Sequence, residues 1–376
     1  MRAPRDDRYL ICIEPGALDA WPDRLAAAIG SSRVWVVTDE QVWKAVGPRF
    51  SAADGASDSV AGVYRLKSGE RSKSLAAWQA LISWFAEKRV GRRDVVVALG
   101  GSMVSDVAGF AAACYMRGIR YVNIPTSLVS QVDGSVGGKV AVNLADAKNL
   151  IGSFHHPSFV LTDPSALSSL PDQEISCGLA EIIKSFVITP DGLFGELERR
   201  IGQLRRRDIS ALTWVVHVAV RQKMELVDMD PYEADLDRSL NFGHTIAHAL
   251  EAGRSYESIR HGEAVAIGMA SATRLGLTRH ITEPETARRI LGAIRAAALP
   301  DRIEPALARK VVSNTEMIAR VRGGSLRFVV PRALGVVTFL GQVDPGELSC
   351  AAVGRVGRRG GPRARPPDER GLAGRA

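Results

Sequence analysis

The stretch from residue 94 to residue 128 leaves the chain little topological choice. "DVVVALGG" (94–101) is apolar, β-branched and of strand length, "VSDVAGFAAACYMRG" (104–118) carries apolar residues at helical spacing, and "RYVNIPTSL" (120–128) is a strand again. Strand, helix, strand in that order sets the two strands parallel in one sheet, joined by a right-handed crossover. The same alternation runs upstream. "RYLICIE" and "SRVWVVTDE" (32–40) read as strands and "QVWKAV" begins a helix. "SKSLAAWQALISWFAEKRV" (72–90) repeats apolar residues every three or four positions behind a serine suited to cap a helix. Beyond about residue 158 the strands thin out. "DQEISCGLAEIIKSFVI", "ISALTWVVHVAVRQKMELVDM" and the histidine-bearing segment after residue 240 are all helical in period. The expected organisation is a nucleotide-binding α/β domain over 1–157, a mainly α-helical domain over 158–350, and a tail over 351–376.

Composition narrows the class further. With 376 residues, 46% hydrophobic and 24% charged, the chain is an ordinary globular protein long enough for two cores. No apolar run reaches the roughly 18 residues of a membrane span. The opening "MRAPRDDRYL" is too charged for a secretion signal, so a cytoplasmic protein with no membrane partner is expected. Cys12, Cys114, Cys177 and Cys350 are scattered, as reduced thiols are, with no zinc-ribbon spacing. The net charge of +8 hints at nucleic acid, but the last 26 residues carry seven arginines against Asp368 and Glu369, which accounts for five of the eight. That tail is Gly-, Pro- and Arg-rich, unable to bury a core, and is expected to be disordered; no nucleic-acid partner is expected for the body.

Three places carry residue types that a packed core does not want. In "VVVALGGSMVSDVAGF" a strand runs into Gly100, Gly101 and Ser102 before a helix, which lets the backbone approach a diphosphate at a helix N-terminus. Thr126, Ser127, Asp133, Lys139 and Asn143 follow in the glycine-rich "IPTSLVSQVDGSVGGKVAVN", read as a loop. In "GLAEIIKSF", Glu181 and Lys184 share one face of an apolar helix, either as an internal ion pair or with Glu181 on a metal. In "LNFGHTIAHALEAG", His244 and His248 stand at i, i+4, and His261 follows in "RHGEAVAIGM". Three histidines with Glu181 favour a metal site, and spacing alone leaves open which histidine is omitted.

Taken with "GERSKSL" and "KNLIGSF", these blocks, in this order, resemble the 3-dehydroquinate synthase family of sugar-phosphate cyclases from about Tyr9 to residue 340. The resemblance implies a Rossmann-like N-terminal domain and a helical C-terminal domain holding NAD and zinc or cobalt. It implies metal ligands Glu181, His244 and His261, with His248 facing the substrate phosphate instead. NAD would lie along Asp39, Ser68, Glu70, Lys73, Gly100, Gly101, Ser102, Val104, Ser105, Asp106, Thr126, Ser127, Lys139, Lys148 and Ser169. The sugar phosphate would meet Arg117, Lys139, Asn149, Lys223, Arg238, Asn241, His248 and Arg320, with Arg117 reaching a neighbouring subunit's site in a homodimer. Lys184, Asp133, Lys139 and His248 are the implied catalytic group. The implied reaction converts 3-deoxy-D-arabino-heptulosonate 7-phosphate to 3-dehydroquinate in the shikimate pathway, with NAD reduced and reoxidised in each turnover.

The chain departs from the family pattern at named positions. The third glycine of the "GGG" turn is Ser102, the next glycine is Ser105, and the serine after the loop aspartate is Gly134. Arg320 stands in for a phosphate-binding lysine. The arginine that clamps the substrate carboxylate is Asp237, with Arg238 next door, about 100° away if the segment is helical. A related cyclase of secondary metabolism is therefore the alternative: an amino-dehydroquinate synthase, or a cyclitol-forming cyclase acting on another sugar phosphate such as sedoheptulose 7-phosphate or glucose 6-phosphate. A glycerol-dehydrogenase-like oxidoreductase and a non-catalytic homologue are the readings from other classes.

Overall fold

The computed structural model describes residues 8–53, 55–144, 147–232, 239–252, 259–321 and 326–357. The strands are β1 (Leu10–Ile13), β2 (Val34–Asp39), β3 (Val60–Leu66), β4 (Val95–Gly100), β5 (Arg120–Pro125), β6 (Lys139–Leu144), β7 (Ala147–Phe154), β8 (Phe159–Thr162), β9 (Phe328–Ala333) and β10 (Val336–Leu340). Six of them form one parallel sheet in the order β1-β8-β5-β4-β2-β3. Its centre is apolar on both faces, as a parallel sheet covered on both sides must be. Val34 and Val36 of β2 pack with Trp21, Leu25 and Phe50 on one side, while Trp35 and Val37 pack with Leu81 and Phe85 on the other. The covering helices are α1 (Trp21–Ile29), α2 (Glu40–Ala52), α3 (Ala56–Ser59), α4 (Leu75–Glu87) and α5 (Ser102–Cys114). The expected serine cap is Ser74, whose hydroxyl accepts from the Ala77 N–H at 3.2 Å.

The helical part comprises α6 (Asp172–Ile188), α7 (Phe194–Arg205), α8 (Ile209–Met229), α9 (His244–Ala252), α10 (His261–Thr278), α11 (Pro284–Ala296), α12 (Pro305–Val321) and α13 (Pro345–Ala352). Helices α6 and α10 are buried on nearly every face, from Ile175 to Ile188 and from Gly262 to Gly276, and form the spine of this core. They approach closely because Gly262 lacks a side chain: a Cβ there would lie 2.3 Å from Cys177 Cα. No helix among the described residues is long and apolar enough to cross a membrane.

Two expectations need adjustment. The sheet does not end at residue 157, because β8 inserts between β1 and β5 and draws the sheet on to Thr162. The very next residue holds the junction: buried Asp163 accepts the N–H groups of Gly16 and Leu18 at 2.9 and 3.2 Å and pairs with Arg49 at 2.8 Å. The later part of the glycine-rich stretch is also not a plain loop, since β6 and β7 form an antiparallel hairpin. The tail beyond residue 357 lies outside the described residues.

Candidate metal and dinucleotide site

Glu181 projects from the middle of α6, while His244 and His261 are the first residues of α9 and α10. One ligand atom from each lies within 4.8 Å of the other two. Glu181 Oε1 is 3.1 Å from His261 Nε2 and 3.6 Å from His244 Nε2. A carboxylate and two imidazoles are a usual zinc donor set, and three protein ligands leave a position open. The donor chemistry and spacing thus fit a divalent cation. His248 is outside this group, its ring centroid 5.7 Å from that of His244.

The electrostatics suit such an ion. Burial, then the nearby Lys184 ammonium, pushes His244 down to about 3, so its imidazole is neutral and ready to ligate. Burial opposes charge on His261 too, but hydrogen bonds to Glu181 and Glu251 outweigh it and raise the group to about 10. A proton on His261 thus supplies positive charge between two buried carboxylates, a role that a bound cation would take over. Burial opposes ionisation of Glu181, yet Lys184, His244 and His261 hold it well below the usual carboxylate range. Lys184 Nζ lies 2.6 Å from Glu181 Oε2, so the internal ion pair and the ligand reading hold together.

Around this centre stands a second charged pair. Asp133 sits in a wide π-helical turn (Ser130–Gly134), where its carboxylate meets Lys223 Nζ of α8 at 2.8 Å. The same ammonium donates to the Asp133 carbonyl at 2.5 Å. Burial works against the Asp133 charge, but Lys223 and Lys184 override it and depress the carboxyl. Asn241 lies in the short turn Ser239–Asn241 just ahead of His244. Asp237 and Arg238 lie outside the described residues, and so does the side chain of Arg320 on α12.

The expected dinucleotide residues gather at the carboxyl ends of the central strands, where open parallel sheets bind ligands. Gly101 opens α5 with no side-chain cap, and the buried Ser105 hydroxyl has no hydrogen-bond partner. Asp39, at the end of β2, caps α2 and accepts from the Ser68 hydroxyl at 2.7 Å. Glu70 accepts from Asn143 at 3.0 Å, and buried Lys73 pairs with Asp106 and donates to Asn149. Thr126 N–H donates to the Gly100 carbonyl at 3.0 Å, and Ser127 faces Gly101. An uncapped helix N-terminus beside glycines fits a diphosphate. Ser169 is exposed at the end of the turn Pro164–Ser169 beside Leu170, whose carbonyl accepts from Arg207. Arg117 is exposed and left-handed (φ 64°), directly after left-handed Met116.

Two departures from the family pattern prove to touch. A Cβ on Gly134 would lie 2.3 Å from Ser102 Oγ and 2.9 Å from Ser102 Cβ. The glycine-to-serine change in the turn and the serine-to-glycine change in the loop are one exchange of volume. Gly134→Ser is expected to cost about 1–3 kcal/mol by overpacking, and Ser102→Gly/Gly134→Ser to recover most of it. Denaturant midpoints read both; equal losses in the single and double variants refute the exchange.

Sequence reasoning missed Glu251. It is buried, its Oε1 lies 3.1 Å from His261 Nδ1, and the same oxygen accepts from Lys148 at 2.8 Å. The signal was present: Glu251 follows His244 by seven residues, two helical turns along the same face. Lys148, expected on the cofactor, is engaged here by Glu251.

Fold and site together define an α/β protein whose parallel-sheet domain, of nucleotide-binding type, adjoins a helical domain with a carboxylate–bis-histidine centre. Models of the 3-dehydroquinate synthase N-terminal and C-terminal domains match residues 63–177 and 178–318. The chain belongs to the 3-dehydroquinate synthase family, within the sugar-phosphate cyclases. It is 42% identical over 353 residues to the 2-epi-valiolone synthase of Actinosynnema mirum, covering 93% of this chain and 92% of that protein. It is 40% identical over 352 residues to the 3-dehydroquinate synthase of Caulobacter vibrioides, covering 92% and 95%. Among solved structures it is similar to ValA, a 2-epi-5-epi-valiolone synthase of Streptomyces hygroscopicus subsp. jinggangensis with NAD+ and Zn2+ bound. That match has a TM-score of 0.85 and 28% identity, over 93% of this chain and 97% of that one.

Proposed function

We propose that this chain is a cytoplasmic cyclase that uses NAD and a divalent metal, zinc or cobalt, to close a seven-carbon ketose phosphate into a ring with loss of phosphate. Its preferred substrate on this reading is sedoheptulose 7-phosphate. The observation that carries the cyclase reading is the convergence of Glu181, His244 and His261 beside the buried cations Lys184 and Lys223. The choice of substrate rests on Asp237, an acid where the family clamps a carboxylate with arginine. Such a clamp is a strong charge-assisted pair, and an acid in its place repels the same group.

Glu181, His244 and His261 would hold the metal; Asp39, Ser68, the start of α5 from Gly101 to Asp106, Thr126 and Ser127 would hold the dinucleotide. Together the two groups supply reversible oxidation of one carbon, which acidifies the neighbouring C–H and lets phosphate leave. Lys184 keeps Glu181 ionised, and Lys223 fixes Asp133 toward the sugar. Lys139, Asn149, Asn241, His248 and Arg320 would surround the phosphate, whose own oxygens take up the proton. Arg117, on its exposed left-handed turn, would enter the site of a second copy in a homodimer.

A 3-dehydroquinate synthase is the second reading, favoured by the intact "VGGK" and "NFGHT" blocks. The test supplies zinc, NAD well below the substrate concentration, and each sugar phosphate in turn, and follows inorganic phosphate. Many phosphates per NAD with no build-up of NADH is the expected result. NADH rising in step with product marks a dehydrogenase instead.

A further inference from the structure

His261 is held at both ring nitrogens: Nε2 faces Glu181 Oε1 at 3.1 Å, and Nδ1 faces Glu251 Oε1 at 3.1 Å. Glu251 lies near the end of α9, is 4% exposed, and belongs to neither the ligand triad nor the sugar-phosphate group. An ionised carboxylate is an acceptor only, so its contact with Nδ1 requires the proton on that nitrogen. Nε2, the nitrogen turned toward Glu181, would then be the one that gives up its proton to a cation and serves as the ligand atom. A carboxylate behind a ligating imidazole also makes it a more basic ligand.

The other contact of Glu251 comes from outside the helical domain. Lys148 reaches it at 2.8 Å from β7 of the hairpin, and the next residue, Asn149, accepts from Lys73, which is itself paired with Asp106. Two sets of polar contacts, joined by the peptide link between Asn149 and Lys148, therefore lead from the start of α5, through the hairpin, to His261. Resting on the metal-site reading above, we propose that Glu251 is a positioning residue that fixes the tautomer and direction of His261, and that Lys148 ties this fixation to the hairpin. Metal affinity is then set by a carboxylate that touches neither metal nor sugar. Because coupling between binding sites is reciprocal, any effect of dinucleotide occupancy on metal affinity through Lys148 is matched by an equal effect of the metal on dinucleotide affinity.

The test measures Zn2+ affinity by chelator competition, and the visible absorption of the Co2+-loaded protein, for wild type, Glu251→Gln, Glu251→Ala and Lys148→Met. Wild type is expected to bind one ion, and Glu251→Ala to bind it about 10–100-fold more weakly. Glu251→Gln keeps an acceptor oxygen and is expected to fall between the two. The Co2+ bands should shift in both Glu251 variants, which a merely structural loss leaves unmoved. In the wild type NAD should change Zn2+ affinity, and in Lys148→Met it should no longer do so. Thermal midpoints establish that each variant is folded; should Glu251→Ala fail this control, Glu251→Gln carries the comparison. Wild-type affinity and unchanged Co2+ bands in a folded Glu251 variant overturn this inference alone. A wild type that binds no ion overturns the metal reading with it.

Discussion

A Glu181→Gln enzyme is expected to lose its metal and nearly all of its phosphate release while still binding NAD. The amide keeps the shape but removes the charge that draws a divalent ion between two imidazoles. Loss of a direct ligand should cost at least the roughly 100-fold that losing an outer-shell partner can cost. Without the ion, the reacting hydroxyl and ketone lose several kcal/mol of stabilisation, so release should fall by about 1,000-fold or more. A second effect follows from packing. Glu181 and Lys184 are 2% and 4% exposed, so the variant leaves a buried ammonium short of its nearest partner. Breaking a buried pair typically costs about 3–5 kcal/mol, to be read as a lowered denaturant midpoint. Lys184→Met/Glu181→Gln, which removes both charges, should restore much of that stability and none of the activity. A Glu181→Gln enzyme with stoichiometric zinc and wild-type turnover contradicts the site.

The convergence of a carboxylate and two imidazoles was legible because these residues have little other reason to be where they are. A glutamate amid "GLAEIIKSF" and histidines opening apolar helices are costly in a core unless they bind something. The central sheet was legible for the same kind of reason, since "DVVVALGG" and "RYVNIP" bracket a helix. What sequence hid was defined by distant partners. Glu251 looks like an ordinary charge near a helix end, yet its partners lie on α10 and β7. The four residues of β8 form an apolar run too short to announce a strand, and only pairing with β1 and β5 makes them the sixth. Ser102 and Gly134 each look like a small departure, and their contact across 32 residues joins them. Resemblance also gave no hint that the Lys148 ammonium meets Glu251, the carboxylate behind His261.

Substrate choice should respond most to position 237. Supplied with sedoheptulose 7-phosphate and with the seven-carbon acid phosphate, the wild type is expected to favour the former in kcat/KM. A hydrogen bond to a charged group contributes about 1.5–3 kcal/mol, so lacking the clamp costs the acid roughly tenfold to a hundredfold, and the Asp237 charge adds repulsion. Three variants separate those parts. Asp237→Ala removes the repulsion and leaves the clamp unbuilt, so the acid should gain modestly. Asp237→Arg offers a planar fork matched to a carboxylate and should shift the ratio toward the acid by at least about tenfold. Arg238→Ala decides whether the neighbouring guanidinium already serves the acid, in which case the acid loses and the neutral sugar does not. The metal and dinucleotide groups are untouched in all three, so phosphate release from the better substrate should persist and zinc content stay at one per chain. An Asp237→Arg enzyme with an unchanged ratio removes the basis for preferring the neutral sugar. A wild type faster on the acid reverses the choice, and the chain then works as a 3-dehydroquinate synthase whose clamp lies elsewhere.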